Sequence, residues 1–206
     1  MKKAHTILVV VWTLLAGYLL TLESGTFPWW DAIWVLLLSI MAYGGLVSLS
    51  GLAKARACAG IVVVVFSALI GLTIFTGWPL GPMRFCGLDA LKIGGAFPLL
   101  PPLLAFALLT LAQKTAAQIF PSFERNGLAA ISSGFFCITL GNGLLFLCKT
   151  RLWWLWNPWG GGDAYIPVAV AFVSLGVTGF FLARIYPEDT GLKLTRWSPE
   201  GIVLLF

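Results

Sequence analysis

Six stretches of this chain are apolar for long enough to cross a bilayer as helices, and this restricts the fold more than any other feature. They run over about 6–22, 30–49, 57–75, 96–112, 127–148 and 164–185. A helix needs roughly 17 to 25 mostly apolar residues to cross the hydrocarbon core. Inside lipid a segment must satisfy its own backbone N–H and C=O groups, so even the β-branched run 62–65 reads as helix. Of the 206 residues, 59% are hydrophobic and 10% charged. A soluble domain carries about 25% charged residues. The expected fold is therefore an all-α, polytopic integral membrane bundle of about six transmembrane helices. It forms one domain over 1–206, with no length left for a separate soluble unit. The first run follows Lys2 and Lys3 and has the outline of a secretory signal. No clean small-x-small cleavage site follows it and further spans do, so it is expected to be a retained helix.

Two interruptions carry the chain's unusual chemistry. The first, 76–98, reads T-G-W-P-L-G-P-M-R-F-C-G-L-D-A-L-K-I-G-G-A-F-P. Pro79 and Pro82 each remove a backbone donor and restrict the residue before them. Arg84, Asp89 and Lys92 bring charge where the flanking runs have almost none. A folded loop is expected here, followed by a short helical turn from about residue 88. The second, 149–163, holds four tryptophans at 153, 154, 156 and 159 with Lys149 and Arg151. Its composition suits an interfacial hairpin or a short surface helix. Residues 50–56 read as a short basic connection. Pro98, Pro101 and Pro102 fall in the first turns of the fourth span, where missing amides are tolerated. Residues 113–126 are polar, and their first part is expected to continue the fourth helix into water, ending before Pro121.

Charge sets the expected orientation. With six spans, nine basic residues share one side: Lys2, Lys3, Lys54, Arg56, Lys114, Arg125, Arg184, Lys193 and Arg196. The other four, Arg84, Lys92, Lys149 and Arg151, lie opposite. The bias places both termini in the cytoplasm, with a bacterial inner membrane as the expected location. Both unusual loops then occupy the opposite face, where 76–89 is expected to pack against 153–159. The net charge of +5 comes from residues scattered at helix ends, which gives no case for nucleic acid. Cys58, Cys86, Cys137 and Cys148 have no C-x-x-C spacing and read as apolar structural cysteines. His5 is the only histidine, which excludes a histidine-rich metal site. No nucleotide-binding loop is evident, and no cofactor is implied. The spans offer few polar groups to line a transport path, and no half-to-half repeat is evident.

The central loop resembles that of the membrane carotenoid-biosynthesis family, which includes the 1,2-hydratases of acyclic carotenoid end groups. The matching positions are Thr76, Gly77, Trp78, Pro79, Gly81, Pro82, Arg84, Phe85, Asp89, Ala90, Leu91 and Pro98. The likeness extends over about 76–185. Trp154-Leu155-Trp156 fits the family's W-x-W near the membrane surface, and Tyr165-Ile166-Pro167 fits the start of its later Y-x-G-I-P-x-x-N-F-x-G-W segment. The departures are specific. Asn142 and Phe146 stand in the fifth span where the family leads one to expect acids. Val170 stands where an asparagine is expected, and the Gly-Trp is not matched cleanly. The resemblance implies a carotenoid or other isoprenoid lipid as ligand, and water addition to an acyclic end group as the reaction.

That reaction needs a proton delivered to carbon, a stabilised tertiary cation and a captured water. A carboxylic acid kept protonated by apolar surroundings is the natural donor, and aromatic faces stabilise the cation. Asp89, in the matched loop, and Asp163, after the tryptophan-rich loop, are the candidate catalytic acids. Asp89 has a second reading, as a solvated acid at a helix N-terminus beside Arg84 or Lys92. Trp78, Pro79, Gly81, Arg84, Phe85, Asn142, Trp154, Trp156 and Tyr165 are the candidate substrate-binding residues. The tryptophans have a second reading too, as interface anchors. A non-catalytic carotenoid- or lipid-binding protein, or a small subunit of a membrane complex or homo-oligomer, is the alternative that the missing acids favour.

Overall fold

The computed structural model of the chain describes residues 2–21, 28–78, 83–85, 92–94, 97–120, 122–139, 154–156 and 172–181. Among these residues there are six helices. They are α1 (Lys2–Thr21), α2 (Pro28–Ser50), α3 (Leu52–Thr76), α4 (Leu100–Ile119), α5 (Arg125–Ile138) and α6 (Phe172–Phe181). Four short strands accompany them: β1 (Met83–Phe85), β2 (Lys92–Ile93), β3 (Phe97–Pro98) and β4 (Trp154–Trp156). The described residues are mostly helical, and α2, α3 and α4 are long and apolar enough to cross a membrane. Apolar stretches of α1, α5 and α6 are shorter, at Thr6–Leu19, Asn126–Ile138 and Phe172–Phe181.

Side-chain pairs define how the helices run. The rings of Trp12 and Trp34 stack at 5.1 Å, and Tyr18 meets Trp30 edge-on at 6.0 Å. Partners descend along α2 as they ascend along α1, so the two are antiparallel. The Ser39 hydroxyl of α2 lies 2.8 Å from the Val35 carbonyl and 3.2 Å from that of Leu103 on α4, its one proton shared between them. Further along, a Cβ placed on Gly45 would lie 3.9 Å from Lys114 Nζ. Contacts therefore advance together, and α2 and α4 run parallel. The core gathers around α4, which packs against α2, α3 and α5. Within its apolar stretch 89% is buried, against 39% for α2 and 28% for α3. Leu104, Leu109 and Ala112 of α4 lie in one cluster with Val35 of α2, Val62 and Phe66 of α3, Phe136 of α5 and Phe181 of α6.

Polarity is inverted relative to a soluble protein. The large exposed side chains include Leu14 of α1, Ile40 of α2, and Val64 and Phe75 of α3. Asp31, Ser39, Thr73, Thr110, Gln113 and Ser132 are buried. Several buried hydroxyls donate to their own helix: Thr73 to the Leu69 carbonyl at 2.8 Å, Thr110 to Phe106 at 2.8 Å and Ser132 to Leu128 at 2.6 Å. Such back-bonding lets a hydroxyl sit inside a packed bundle without a distant partner.

Several local expectations need correction. The 50–56 connection is one residue, Gly51, and Lys54 and Arg56 belong to the first turns of α3. Gly51 turns the chain at φ 79°, ψ 162°, while its amide donates to the Val47 carbonyl at 2.9 Å. That backbone region is essentially reserved for glycine. Nothing lies within 4 Å of a Cβ added there, so the cost of a side chain is purely conformational. Gly51→Ala should lower stability by about 1–3 kcal/mol, read as an earlier unfolding transition in detergent. Gly60→Ala, equally uncrowded but inside α3, should stabilise slightly, since alanine is the better helix former.

The fourth helix begins at Leu100, not near 96, because 97–98 forms β3; Pro101 and Pro102 sit in its first turn as expected. It continues to Ile119, and Gln113, Thr115, Ala116 and Ala117 are buried, not solvated. Alanines and long-chain residues propagate the helix, and α2, α3 and α5 enclose it. Lys92 and Ile93 are in a strand where a helical turn was expected; residues 86–91 lie outside the described residues. The tryptophan-rich loop contains a strand.

Candidate functional site

The T-G-W motif closes α3. Gly77 takes the left-handed conformation, φ 73°, and its amide donates to the Thr73 carbonyl at 2.8 Å. This is the glycine C-cap that terminates a helix without a Cβ clash. The Thr76 hydroxyl donates to the Leu72 carbonyl at 2.6 Å and accepts from the Trp78 amide at 3.1 Å. Threonine thus ties the last turn of α3 to the first residue of the loop. Trp78, 66% exposed, projects from this corner.

Beyond it, β1 pairs antiparallel with β4: Met83 opposite Trp156, Arg84 opposite Leu155 and Phe85 opposite Trp154. The central and tryptophan-rich loops, whose paired residues lie 69 to 73 positions apart in sequence, are therefore joined by a backbone ladder. Pairing satisfies backbone groups that an extended segment would otherwise leave unmade. A second ladder places Lys92 opposite Pro98 and Ile93 opposite Phe97, turning at Gly94 with φ 60°. It rests on α3, where a Cβ added to Gly71 would meet the Phe97 ring at 3.6 Å.

These pieces share one end of the bundle. The strands β1, β2 and β3 lie between the end of α3 and the start of α4, and α2 starts at this same end because it runs parallel to α4. Of the sequence-predicted site residues, Trp78 is here, and the backbones of Arg84, Phe85, Trp154 and Trp156 are brought into one ladder. Pro79, Gly81, Asp89, Asn142, Asp163 and Tyr165 lie outside the described residues.

Sequence reasoning missed one residue at this end. Asp31 lies in the first turn of α2 and is only 2% exposed. The signal was its place beside Trp29 and Trp30, three residues after Pro28, a proline suited to opening a helix. An ionisable group inside a membrane bundle is by default a functional candidate, and the N-terminus of a helix favours an acid. The polar residues of α4 were also missed as interior groups. Gln113 Nε2 and Thr115 Oγ1 are buried and have no hydrogen-bond partner among the described residues.

The chain was compared with protein-family models, with curated proteins and with solved structures, and it matches none of them.

Proposed function

We propose that this chain is an integral membrane protein that acts on an acyclic carotenoid or related isoprenoid, adding water across the terminal 1,2 double bond. The observation that carries the reading is the β1–β4 ladder: it unites T-G-W-P-x-G-P-x-R-F and W-L-W, the two segments of the family likeness. Membrane residence is supported by three helices of spanning length and by an exterior of exposed leucine, isoleucine, valine and phenylalanine around buried hydroxyls and amides. Both termini are assigned to the cytoplasm, which puts the ladder at the opposite face. A polyene end group would approach this end of the bundle, where Trp78 offers an exposed aromatic surface. Asp89 and Asp163 remain the proposed acids, and buried Asp31 joins them. Asn142 can orient a water through its amide but cannot protonate carbon.

The second reading, a non-catalytic carotenoid- or lipid-binding protein, is favoured by Asn142 and Phe146 standing where acids are expected. One experiment separates the two. The full chain is produced in a host that accumulates lycopene, then purified, and its organic extract is analysed by absorbance and mass. A hydratase should carry a polyene spectrum and yield product heavier by one water. Polyene without hydrated product would replace the enzyme reading by the binding one. Neither polyene nor product would overturn both.

A further inference from the structure

We infer that the cleft between the C-terminal halves of α2 and α4 binds the anionic headgroup of a membrane lipid. This cleft lies at the end of the bundle opposite the β1–β4 ladder, and the inference does not rest on the isoprenoid reading. Met41, Leu46 and Leu49 of α2 form an apolar wall, and Gln113 and Lys114 of α4 face it across Gly45. The glycine matters sterically, because any side chain on it would grow toward Lys114 Nζ, 3.9 Å from its Cβ position.

Gln113 carries the chemical argument. It is 3% exposed, it lines this cleft, and its Nε2 has no hydrogen-bond partner among the described residues. The neighbouring Thr110, also on the lining, donates to the Phe106 carbonyl in its own helix. The Gln113 Nε2 makes no such bond to its own helix. A buried donor left unmade costs about 1–3 kcal/mol, so Gln113 brings an unmet donor to the residues that line the cleft. Lys114 adds an ammonium group and its positive charge to the lining. Among the described residues no carboxylate lines the cleft. Donors and positive charge without an acid select an anion with oxygen acceptors.

Size and surroundings select a lipid headgroup. The cleft is partly open, and its free space is about 20 Å³, room for a single water-sized group such as one phosphate oxygen. The rest of the headgroup must lie at the mouth, where Leu49 is exposed and leads onto the apolar flank of α2. An acyl chain can follow that flank. Lys54 and Arg56, exposed in the first turns of α3, stand at the same end of the bundle. Basic clefts between transmembrane helices at the cytoplasmic side are suited to anionic lipids.

The test is native mass spectrometry of the full chain in detergent, with phosphatidylglycerol or phosphatidylcholine added. Phosphatidylglycerol should stay bound preferentially. Lys114→Met should reduce its retention about five-fold, the effect of one basic residue near an anionic surface, and Lys114→Arg should keep it. Gln113→Leu should also weaken it. Equal retention of the two lipids, or retention indifferent to Lys114→Met, would overturn the proposal. Inorganic phosphate retained with the same dependence on Lys114, in place of phosphatidylglycerol, would overturn the lipid assignment in favour of a free anion. Because variants can fail to fold, the wild-type melting temperature is read as well. It should rise with phosphatidylglycerol and not with phosphatidylcholine; equal shifts count against the site.

Discussion

Asp89→Asn is expected to lower hydrated product by about 10²-fold or more, the usual contribution of a positioned general acid. The substitution keeps the side chain's shape and removes its acidity, so bound polyene should persist while product disappears. That split is what distinguishes loss of the proton donor from loss of the fold or of the binding surface. Asp163→Asn, made in parallel, tests the acid that follows β4 in sequence. If both variants hydrate at the full rate, the loss should appear in Asp31→Asn instead, because Asp31 is buried in the first turn of α2 at the end of the bundle where the ladder forms. An effect there would mean that the end group reaches the buried first turn of α2. Undiminished hydration in all three variants, from a protein that does make hydrated product, would eliminate a carboxylic acid as donor at these positions.

The helices were largely legible because the lipid requirement is one-dimensional: a run of apolar residues either reaches across or does not. The runs 30–49 and 57–75 emerge as α2 and α3, each within a few residues of the expected bounds. What hydropathy could not reveal was which helix lies in the middle. Leu100–Ile119 is the least hydrophobic of the three spanning-length helices, yet it is the most buried. The central helix is free to carry Thr110, Gln113 and Thr115, because its neighbours shield them. Polar content read as an exit into water was instead a mark of the interior.

The site was legible to a different depth. Thr76, Gly77 and Trp78 could be read as a helix end because glycine and a small hydroxyl residue have a local geometry to supply, and the cap hydrogen bonds realise it. The approach of 83–85 to 154–156 was legible only from the side the two loops share, their tryptophans and their opposite charges, Asp89 with Lys149 or Arg151 and Asp163 with Arg84. The structure joins them through backbone pairing instead, a bond type that leaves little trace in short tryptophan-rich segments. The single-residue turn at Gly51 shows the same limit. Lys54 and Arg56 suggested a polar connection, but both side chains are compatible with a first helical turn whose outer face is exposed.

Phe136→Ala should be the most destabilising single truncation in the bundle, by about 3 kcal/mol or more. Phe136 of α5 is 0% exposed, and its ring meets Phe66 of α3 edge-on at 5.7 Å. It sits in the cluster that also holds Phe181 of α6 and Leu104, Leu109 and Ala112 of α4. Removing the ring takes an aromatic partner from Phe66 and opens a hole in the cluster that joins α3, α4, α5 and α6. In lipid the gain from packing one helix on another is dispersion, because the alternative surroundings are as apolar as the side chain. The penalty therefore depends on whether the hole can close. Phe66 and Phe181 are themselves fixed by the same cluster, so collapse is limited and most of the lost contact energy remains lost. Phe75→Ala provides the comparison. Its ring is as large but 76% exposed on α3, and truncation there should change stability by about 0.5 kcal/mol or less. Unfolding of the two variants in matched detergent micelles, followed by loss of helical signal, measures the difference. Equal transitions would mean that the α3–α5 contact does not hold the bundle together.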